Sequence, residues 1–243
     1  MKLFKITSAF TLLVIALMIT HFANAQTKSA QNLDQKQQAI VRISALTGKG
    51  ELLKLKTALS AGLDAGLTVN QIKEVIVHVY AYAGFPRSIR GLQTFIAVLD
   101  ERKAKGINEV TGADASPIKD GRSRYDRGKA ILDTLLGAPQ SSRQSGYSAF
   151  APVIEVFLKE HLFADIFERD VLNYVQRELV TVSVLAGIGG VEPMLQSHLK
   201  ICLNVGLTPD QLQGFVEIIK HEVGKQEAAT AQQVLNEVLK SKQ

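Results

Sequence analysis

The sequence predicts an all-α protein in which two related helical units pack together, and three observations support this fold class. Apolar residues recur at three- and four-residue intervals, the spacing of helices with one buried face. Strand-like alternation of apolar and polar residues is sustained nowhere in the chain. One helix–turn–helix segment occurs twice without a gap, at 59–72 and 199–212, an offset of 140 residues.

Both copies carry the same signals for ending one helix and starting the next. A glycine, Gly66 or Gly206, stands where a left-handed residue ends the first helix. A threonine follows two residues later with a glutamine three further on, the capping-box pattern, as Thr68 with Gln71 and Thr208 with Gln211. Pro209 occupies the first helical position, where its missing N–H is harmless.

The apolar positions around each turn fall on one helix face. In the first copy they are Leu52, Leu55, Leu59 and Leu63, then Ile72, Val75, Ile76 and Val79. In the second they are Leu195, Leu199, Cys202 and Val205, then Leu212, Phe215, Val216 and Ile219.

These patterns divide the chain into a first copy at 36–103 and a second copy at 124–240. Residues 104–123 are rich in Gly, Asp and Ser and contain Pro117, which predicts a linker or a long surface loop. The second copy is predicted to begin with a helix at 127–136 and a loop at 137–146, and to contain a helix at 170–186. Four phenylalanines precede that helix, and core packing is their simplest interpretation: Phe150, Phe157, Phe163 and Phe167.

Residues 1–25 are typical of a secretory signal. Lys2 and Lys5 precede an apolar run at 10–19, and Ala23-Asn24-Ala25 forms a small-x-small cleavage pattern. An uncleaved N-terminal anchor is the alternative. The sequence therefore predicts a mature protein that is exported, with the periplasm as its compartment, and that has no membrane span after cleavage.

Charge and cysteine content narrow the functional classes. Two of the 28 Lys and Arg residues lie in the predicted signal, so the mature chain carries 26 basic and 23 acidic side chains, a formal charge of +3. That balance, without a basic block, does not favour nucleic-acid binding. A single cysteine, Cys202, excludes an internal disulfide.

Two ionisable residues interrupt apolar helix faces in the second copy. Glu178 lies within the stripe of Val175 and Val182, and His198 lies within the stripe of the following helix. A short glycine-rich turn joins these helices, so their apolar faces should meet. Because a buried carboxylate is costly unless it is paired, we expect Glu178 and His198 to approach each other. The pair is either a structural contact or part of a site.

Several segments of the chain resemble the carboxymuconolactone decarboxylase family. They are RELVTV at 177–182, the small-residue turn with Glu192, Leu195 and His198 after it, and NVGLT at 204–208. RYDRG at 124–128 resembles the arginine-rich start of that domain, and YAYAGFP at 80–86 resembles its closing element. The resemblance covers nearly all of the mature chain and implies the alkylhydroperoxidase D-like helical fold.

The resemblance implies two possible chemistries. The alkylhydroperoxidase D branch uses a Cys-x-x-Cys pair ahead of the histidine, but Val191 and Met194 occupy those positions here. Cys202 follows the histidine and has no partner, so thiol-dependent peroxide reduction is not expected. The decarboxylase branch needs neither cofactor nor metal, because its lactone substrate has a conjugated carbonyl that accepts electrons.

In that branch the resemblance implies that Glu178 and His198 are the catalytic acid–base pair. Arg124 or Arg127 is a candidate for holding a substrate carboxylate, although an arginine in such a position is more often a surface charge. The first copy has Gln38 and Ala58 where the pair should be, whereas the second lacks the tyrosine-rich element. A composite site follows, with Tyr80, Tyr82 and His78 as candidate substrate-binding residues; His78 also has a purely structural interpretation.

The favoured function is a cofactor-independent decarboxylase-like enzyme for a small carboxylated lactone or a related acid. The alternatives are a peroxiredoxin-like antioxidant relative that has lost its cysteine pair, or a non-catalytic helical binding or assembly module. The resemblance also implies self-association, most simply as a trimer of two-copy chains.

Overall fold

The computed structural model describes residues 32–140 and 146–241, and that part of the chain is helical without a β-strand. The predicted signal at 1–25 lies outside the described residues and stays a prediction. The elements are α1 Gln35–Lys49, α2 Leu52–Asp64, α3 Val69–Ala104, α4 Arg124–Leu136, α5 Tyr147–Phe150, α6 Pro152–Phe157, a π-helix Leu158–Phe167, α7 Tyr174–Ile188, α8 Glu192–Asn204, α9 Pro209–Glu222 and α10 Lys225–Lys240. None of the helices that the structure describes combines the length and apolar character needed to cross a lipid bilayer.

The predicted repeat is confirmed as a repeat of helices. Helices α1 and α2 correspond to α7 and α8, and the two parts of α3 correspond to α9 and α10. Helix α3 has two parts because Gly84 adopts φ 78° and ψ 163° and interrupts the helical backbone just before Pro86. Gly224 stands at the equivalent break between α9 and α10.

The turn chemistry of both copies forms as predicted. Gly66 and Gly206 have φ of 88° and 106°, the left-handed conformation that ends a helix. The side chains of Thr68 and Thr208 each accept a hydrogen bond from the backbone N–H of the glutamine three residues later. The side-chain oxygen of that glutamine in turn accepts a hydrogen bond from the backbone N–H of the threonine. The same box, Asp34 with Gln37, starts α1.

The two copies share one hydrophobic core, because α1 of the first copy packs along α7 of the second. Glycines allow the close approach. A Cβ on Gly187 would lie 3.0 Å from the carbonyl oxygen of Ala45, and one on Gly48 would lie 3.2 Å from the Val184 side chain. At these two positions the helices of the two copies leave no room for a larger residue.

A second layer of α4 and the π-helix covers the outer face of α8. Its core consists of Ile131, Leu135, Leu162, Phe163, Ile166, Phe167 and Ile201. Gly128 of α4 touches the π-helix so closely that a Cβ there would lie 1.8 Å from the carbonyl oxygen of Lys159. This layer forms one wall of the candidate site.

Three local predictions were wrong. Helix α7 begins at Tyr174 rather than at 170, because Asn173 forms a capping box with Gln176. Helix α4 begins at Arg124 because Ser123 caps it. Phe163 and Phe167 are buried, but Phe150 and Phe157 are 93% and 58% exposed and do not belong to the core.

Candidate active site

Helices α7 and α8 place Glu178 and His198 in direct contact. The Nδ1 atom of His198 lies 2.8 Å from Oε2 of Glu178, and the glutamate is fully buried whereas the imidazole is 14% exposed. The carboxylate accepts the Nδ1 proton, which leaves Nε2 as the nitrogen available to a ligand. Among the described residues, the other glutamate oxygen, Oε1, has no hydrogen-bond partner.

His198 lies in the wall of a cavity of about 580 Å³. Helices α3, α4, α7 and α8, the π-helix and the segment ahead of it contribute to the lining. Most of the lining side chains are apolar, among them Leu132, Leu162, Phe163, Leu185 and Ile201. The volume and the few converging polar groups are typical of a site for a small molecule.

Tyr82 of the first copy lies in the same wall. Its ring meets that of His198 edge-on, with ring centroids 5.8 Å apart and an interplanar angle of 85°. Burial, and secondarily the Glu178 carboxylate, raises the pKa of the Tyr82 hydroxyl. The cavity is therefore composite, since Tyr82 comes from the first copy and His198 from the second.

A buried polar network stands behind Tyr82. The Nη1 atom of Arg177 lies 3.2 Å from Nδ1 of His78, and the His78 Nε2 atom lies 2.9 Å from Oγ1 of Thr181. The Thr181 hydroxyl in turn lies 3.2 Å from the hydroxyl of Tyr82. Burial, followed by the charge of Arg177 and that of His198, holds the pKa of His78 well below its usual value. Burial also lowers the pKa of Arg177, to about 10.

Lys159 supplies a positive charge to the cavity wall. Its side chain is only 7% exposed, it pairs with Glu155, and its Nζ lies 3.1 Å from the hydroxyl and 4.8 Å from the ring centroid of Tyr125. Burial favours the neutral amine, but the hydrogen bonds that Lys159 donates to Glu155 and Tyr125 outweigh it and raise the pKa of Lys159. Sequence reasoning missed this residue. The available signal was a lysine with Leu158 before it and Leu162 and Phe163 after it.

The remaining predicted ligand-binding residues lie elsewhere. Arg124 is largely exposed and lies 3.5 Å from Asp165, whereas the guanidinium of Arg127 lies 3.0 Å from Glu168. Neither arginine lines the cavity. Tyr80 is also outside the lining, and its ring stacks on Phe85 at 4.5 Å. His78 also lies outside the lining, behind Tyr82, on whose ring its own ring stacks with centroids 5.6 Å apart.

The equivalent position in the first copy holds a different arrangement. Gln38 and Ala58 replace the glutamate and histidine, as the sequence indicates, and border a smaller pocket. Arg42 lies there and pairs with Glu222 at 3.2 Å. Glu222 is the residue that corresponds to Tyr82 at the offset of 140.

Cys202 is fully buried, and its burial, followed by the nearby Glu178 charge, raises the pKa of its thiol well above the usual value. A thiol in that environment is a poor nucleophile. Within residues 32–140 and 146–241, no cluster of His, Cys, Asp and Glu is arranged to hold a metal ion.

The fold and the site define a two-copy, all-helical protein with a buried carboxylate–imidazole pair at the wall of one cavity. The sequence profile described as "Carboxymuconolactone decarboxylase family" matches residues 15–95 and 155–237, and the chain belongs to this family. The match falls once on each copy.

Two relatives are similar to parts of the chain. The 4-carboxymuconolactone decarboxylase of Acinetobacter baylyi is 30% identical over 99 residues, which cover 40% of this chain and 71% of the relative. An uncharacterized protein of Methanocaldococcus jannaschii is 28% identical over 74 residues, which cover 30% of this chain and 69% of the relative.

Proposed function

We propose that the protein is a cofactor-independent decarboxylase of a small carboxylated lactone or a related acid, with Glu178 and His198 as its acid–base pair. The observation that carries the proposal is the 2.8 Å contact between a fully buried glutamate and an imidazole that borders the cavity. A buried carboxylate with one unpaired oxygen is costly to folding, and such costs are typical of functional sites.

The reaction requires one proton and an electron sink. The bond between the substrate and its carboxylate breaks, carbon dioxide leaves, and the electron pair enters the conjugated carbonyl to form an enolate. His198 in its protonated form donates the Nε2 proton to carbon, while the Glu178 carboxylate accepts a hydrogen bond from Nδ1 and stabilises the imidazolium. Solvent then returns a proton to Nε2.

Lys159 is the residue best placed to hold a substrate carboxylate. It lines the cavity, carries a positive charge, and is nearly buried, so a contact with a carboxylate there is little weakened by solvent. This role replaces the one predicted for Arg124 and Arg127. The rest of the wall is mostly apolar, which fits a compact ring better than an extended polar chain.

The proposal is tested by following the loss of 4-carboxymuconolactone with purified wild-type protein and with His198→Gln and Glu178→Gln variants. Removal of a general acid typically costs ~10²–10⁴-fold in rate, so turnover should fall by about that factor. His161→Gln is a matched control, because His161 also pairs with a carboxylate, Asp165 at 3.0 Å, but lies outside the cavity lining.

Thermal unfolding of the same variants separates catalysis from folding. A catalytic pair predicts folded variants that have lost turnover. Loss of stability with full activity in the folded fraction would mean that the pair is structural, and no turnover of any lactone acid by the wild type would favour a non-catalytic module.

A further inference from the structure

The direction of each hydrogen bond behind Tyr82 follows from the chemistry of its members. An arginine side chain can only donate, so His78 must accept the Arg177 bond at Nδ1. A neutral His78 then carries its proton on Nε2 and donates it to Thr181 Oγ1. The lowered pKa of His78 agrees with a neutral ring.

The single hydroxyl proton of Thr181 then has two acceptors. One is the carbonyl oxygen of Arg177 at 3.0 Å, and the other is the hydroxyl oxygen of Tyr82 at 3.2 Å. In the first arrangement, the Thr181 hydroxyl donates to the Arg177 carbonyl, and the Tyr82 hydroxyl donates to Thr181. In the second arrangement, the Thr181 hydroxyl donates to Tyr82, and the Tyr82 proton is free to point into the cavity.

We propose that Tyr82 is a further catalytic residue that donates this proton in a hydrogen bond to the enolate oxygen formed on the substrate, with Arg177, His78 and Thr181 as positioning residues. This inference rests on the proposed function. The switch between the two arrangements requires only rotation of two hydroxyl groups. The positive charge of Arg177 at the other end of the network favours the second arrangement, in which Tyr82 can donate its proton to an anion in the cavity.

The position of Tyr82 suits this role. It borders the cavity beside His198. Tyr82 can therefore donate a hydrogen bond to the enolate oxygen while His198 protonates a carbon of the same conjugated system. The raised pKa of Tyr82 keeps its hydroxyl protonated and therefore able to donate near neutral pH. Hydrogen-bond donors that are held in place before an oxyanion forms are among the strongest contributors to catalysis.

The first test uses 4-nitrophenol, whose absorbance reports its ionisation and whose phenolate resembles an enolate. The wild-type protein should prefer the phenolate and lower the pKa of bound 4-nitrophenol. Tyr82→Phe should raise that bound pKa by roughly 1–2 units, the value of one hydrogen bond to a charged group. Thr181→Val should give a smaller rise, and Thr181→Ser, which keeps the hydroxyl, should restore the wild-type value.

Tyr80→Phe is the matched control, since this tyrosine lies on the same helix but outside the cavity lining. It should leave the phenolate titration unchanged. Equal shifts in the two tyrosine variants, no shift in Tyr82→Phe, or no binding of the phenolate by the wild-type protein would each overturn the inference.

Turnover of 4-carboxymuconolactone provides the second measurement. Tyr82→Phe should lower kcat by about 10²–10³-fold with the fold intact, the usual effect of removing one oxyanion donor. If the wild type shows no turnover but the phenolate titration depends on Tyr82, the proposed reaction fails and the oxyanion site stands. If turnover depends on His198 but neither measurement depends on Tyr82, the proposed reaction stands and the oxyanion site fails.

Discussion

Lys159 combines burial, positive charge and a place in the cavity wall, and this combination leads to a prediction at the scale of one residue. Lys159→Met should raise KM for a carboxylated lactone by about 10- to 150-fold, since hydrogen bonds to charged groups contribute about 1.5–3 kcal/mol. Glu155 would then face the cavity without its partner and add repulsion. Steady-state kinetics at fixed ionic strength measure the change.

Lys129→Met provides the comparison for Lys159, because Lys129 pairs with Asp133 but lies outside the cavity lining. Its kinetic constants should match those of the wild type. If KM is unchanged in Lys159→Met, another group holds the carboxylate.

Cys202 leads to a second residue-scale prediction. Its fully buried thiol, with a raised pKa, should not react with a disulfide reagent such as 5,5′-dithiobis(2-nitrobenzoate) until the protein is unfolded. Cys202→Ala should leave lactone turnover unchanged, and no thiol-dependent peroxide reduction should be measurable with the wild type. Rapid labelling of the folded protein would show that the thiol is accessible.

Residues that break a simple pattern could be predicted from the sequence, and those that depend on long-range packing could not. Glu178 and His198 interrupt apolar stripes, and the short turn between their helices implied their contact. Lys159 lies in a π-helix, whose geometry departs from the 100° spacing on which a face is assigned. Arg124 and Arg127 matched a motif, but Asp165 and Glu168 hold them away from the cavity.

At the scale of elements, the contact between α4 and the π-helix depends on one glycine. A Cβ on Gly128 would lie 1.8 Å from the carbonyl oxygen of Lys159, so Gly128→Ala must push these helices apart. We expect a loss of about 1–3 kcal/mol in the free energy of unfolding, together with reduced turnover because Lys159 moves. Chemical denaturation and lactone kinetics measure the two effects.

Gly214 in α9 is the matched helical control, because nothing lies within 4 Å of a Cβ built there. Gly214→Ala should raise the free energy of unfolding by roughly 0.4–1 kcal/mol, since alanine restricts the unfolded chain. Equal changes in the free energy of unfolding for Gly128→Ala and Gly214→Ala would contradict the close contact between Gly128 and the π-helix.

Helix boundaries were predictable where a side chain caps the backbone and the pattern was recognised. The boxes at Thr68 and Thr208 set the starts of α3 and α9 correctly. The start of α7 was misplaced because the apolar period extends back to Val171, whereas Asn173 fixes the first turn. The break at Gly84 required knowledge of its positive φ, which a glycine permits but does not dictate.

At the scale of the whole molecule, the shared core predicts that the two copies unfold together. Helices α1 and α7 belong to different copies but bury each other's apolar faces. The slowest-exchanging backbone amides of α1 and α7 should therefore exchange with deuterium through the same global unfolding, with equal free energies of opening. A markedly lower protection of all α1 amides would show that the first copy opens independently.

Self-association is the last prediction, and the exposed surface of α3 supports it. Phe85, Ile89 and Ile96 are 64%, 49% and 59% exposed, and at 100° per residue they fall within about 40° of one another on one helix face. Aligned apolar side chains of this size are typical of a contact between chains. We expect the two-copy chain to form a closed homo-oligomer, most simply a trimer.

Light scattering at micromolar concentration tests the assembly. Ile89→Glu should shift the wild-type oligomer toward a monomer, because it places a charge in the middle of the apolar face. Arg90→Glu changes the charge at an exposed position about 100° around the same helix from Ile89, outside the apolar face, and should leave the mass unchanged. A wild-type mass of one chain would refute self-association. An oligomer that persists in Ile89→Glu would instead show that the chains meet through another surface. The next candidates are the exposed side chains of Phe150 and Phe157.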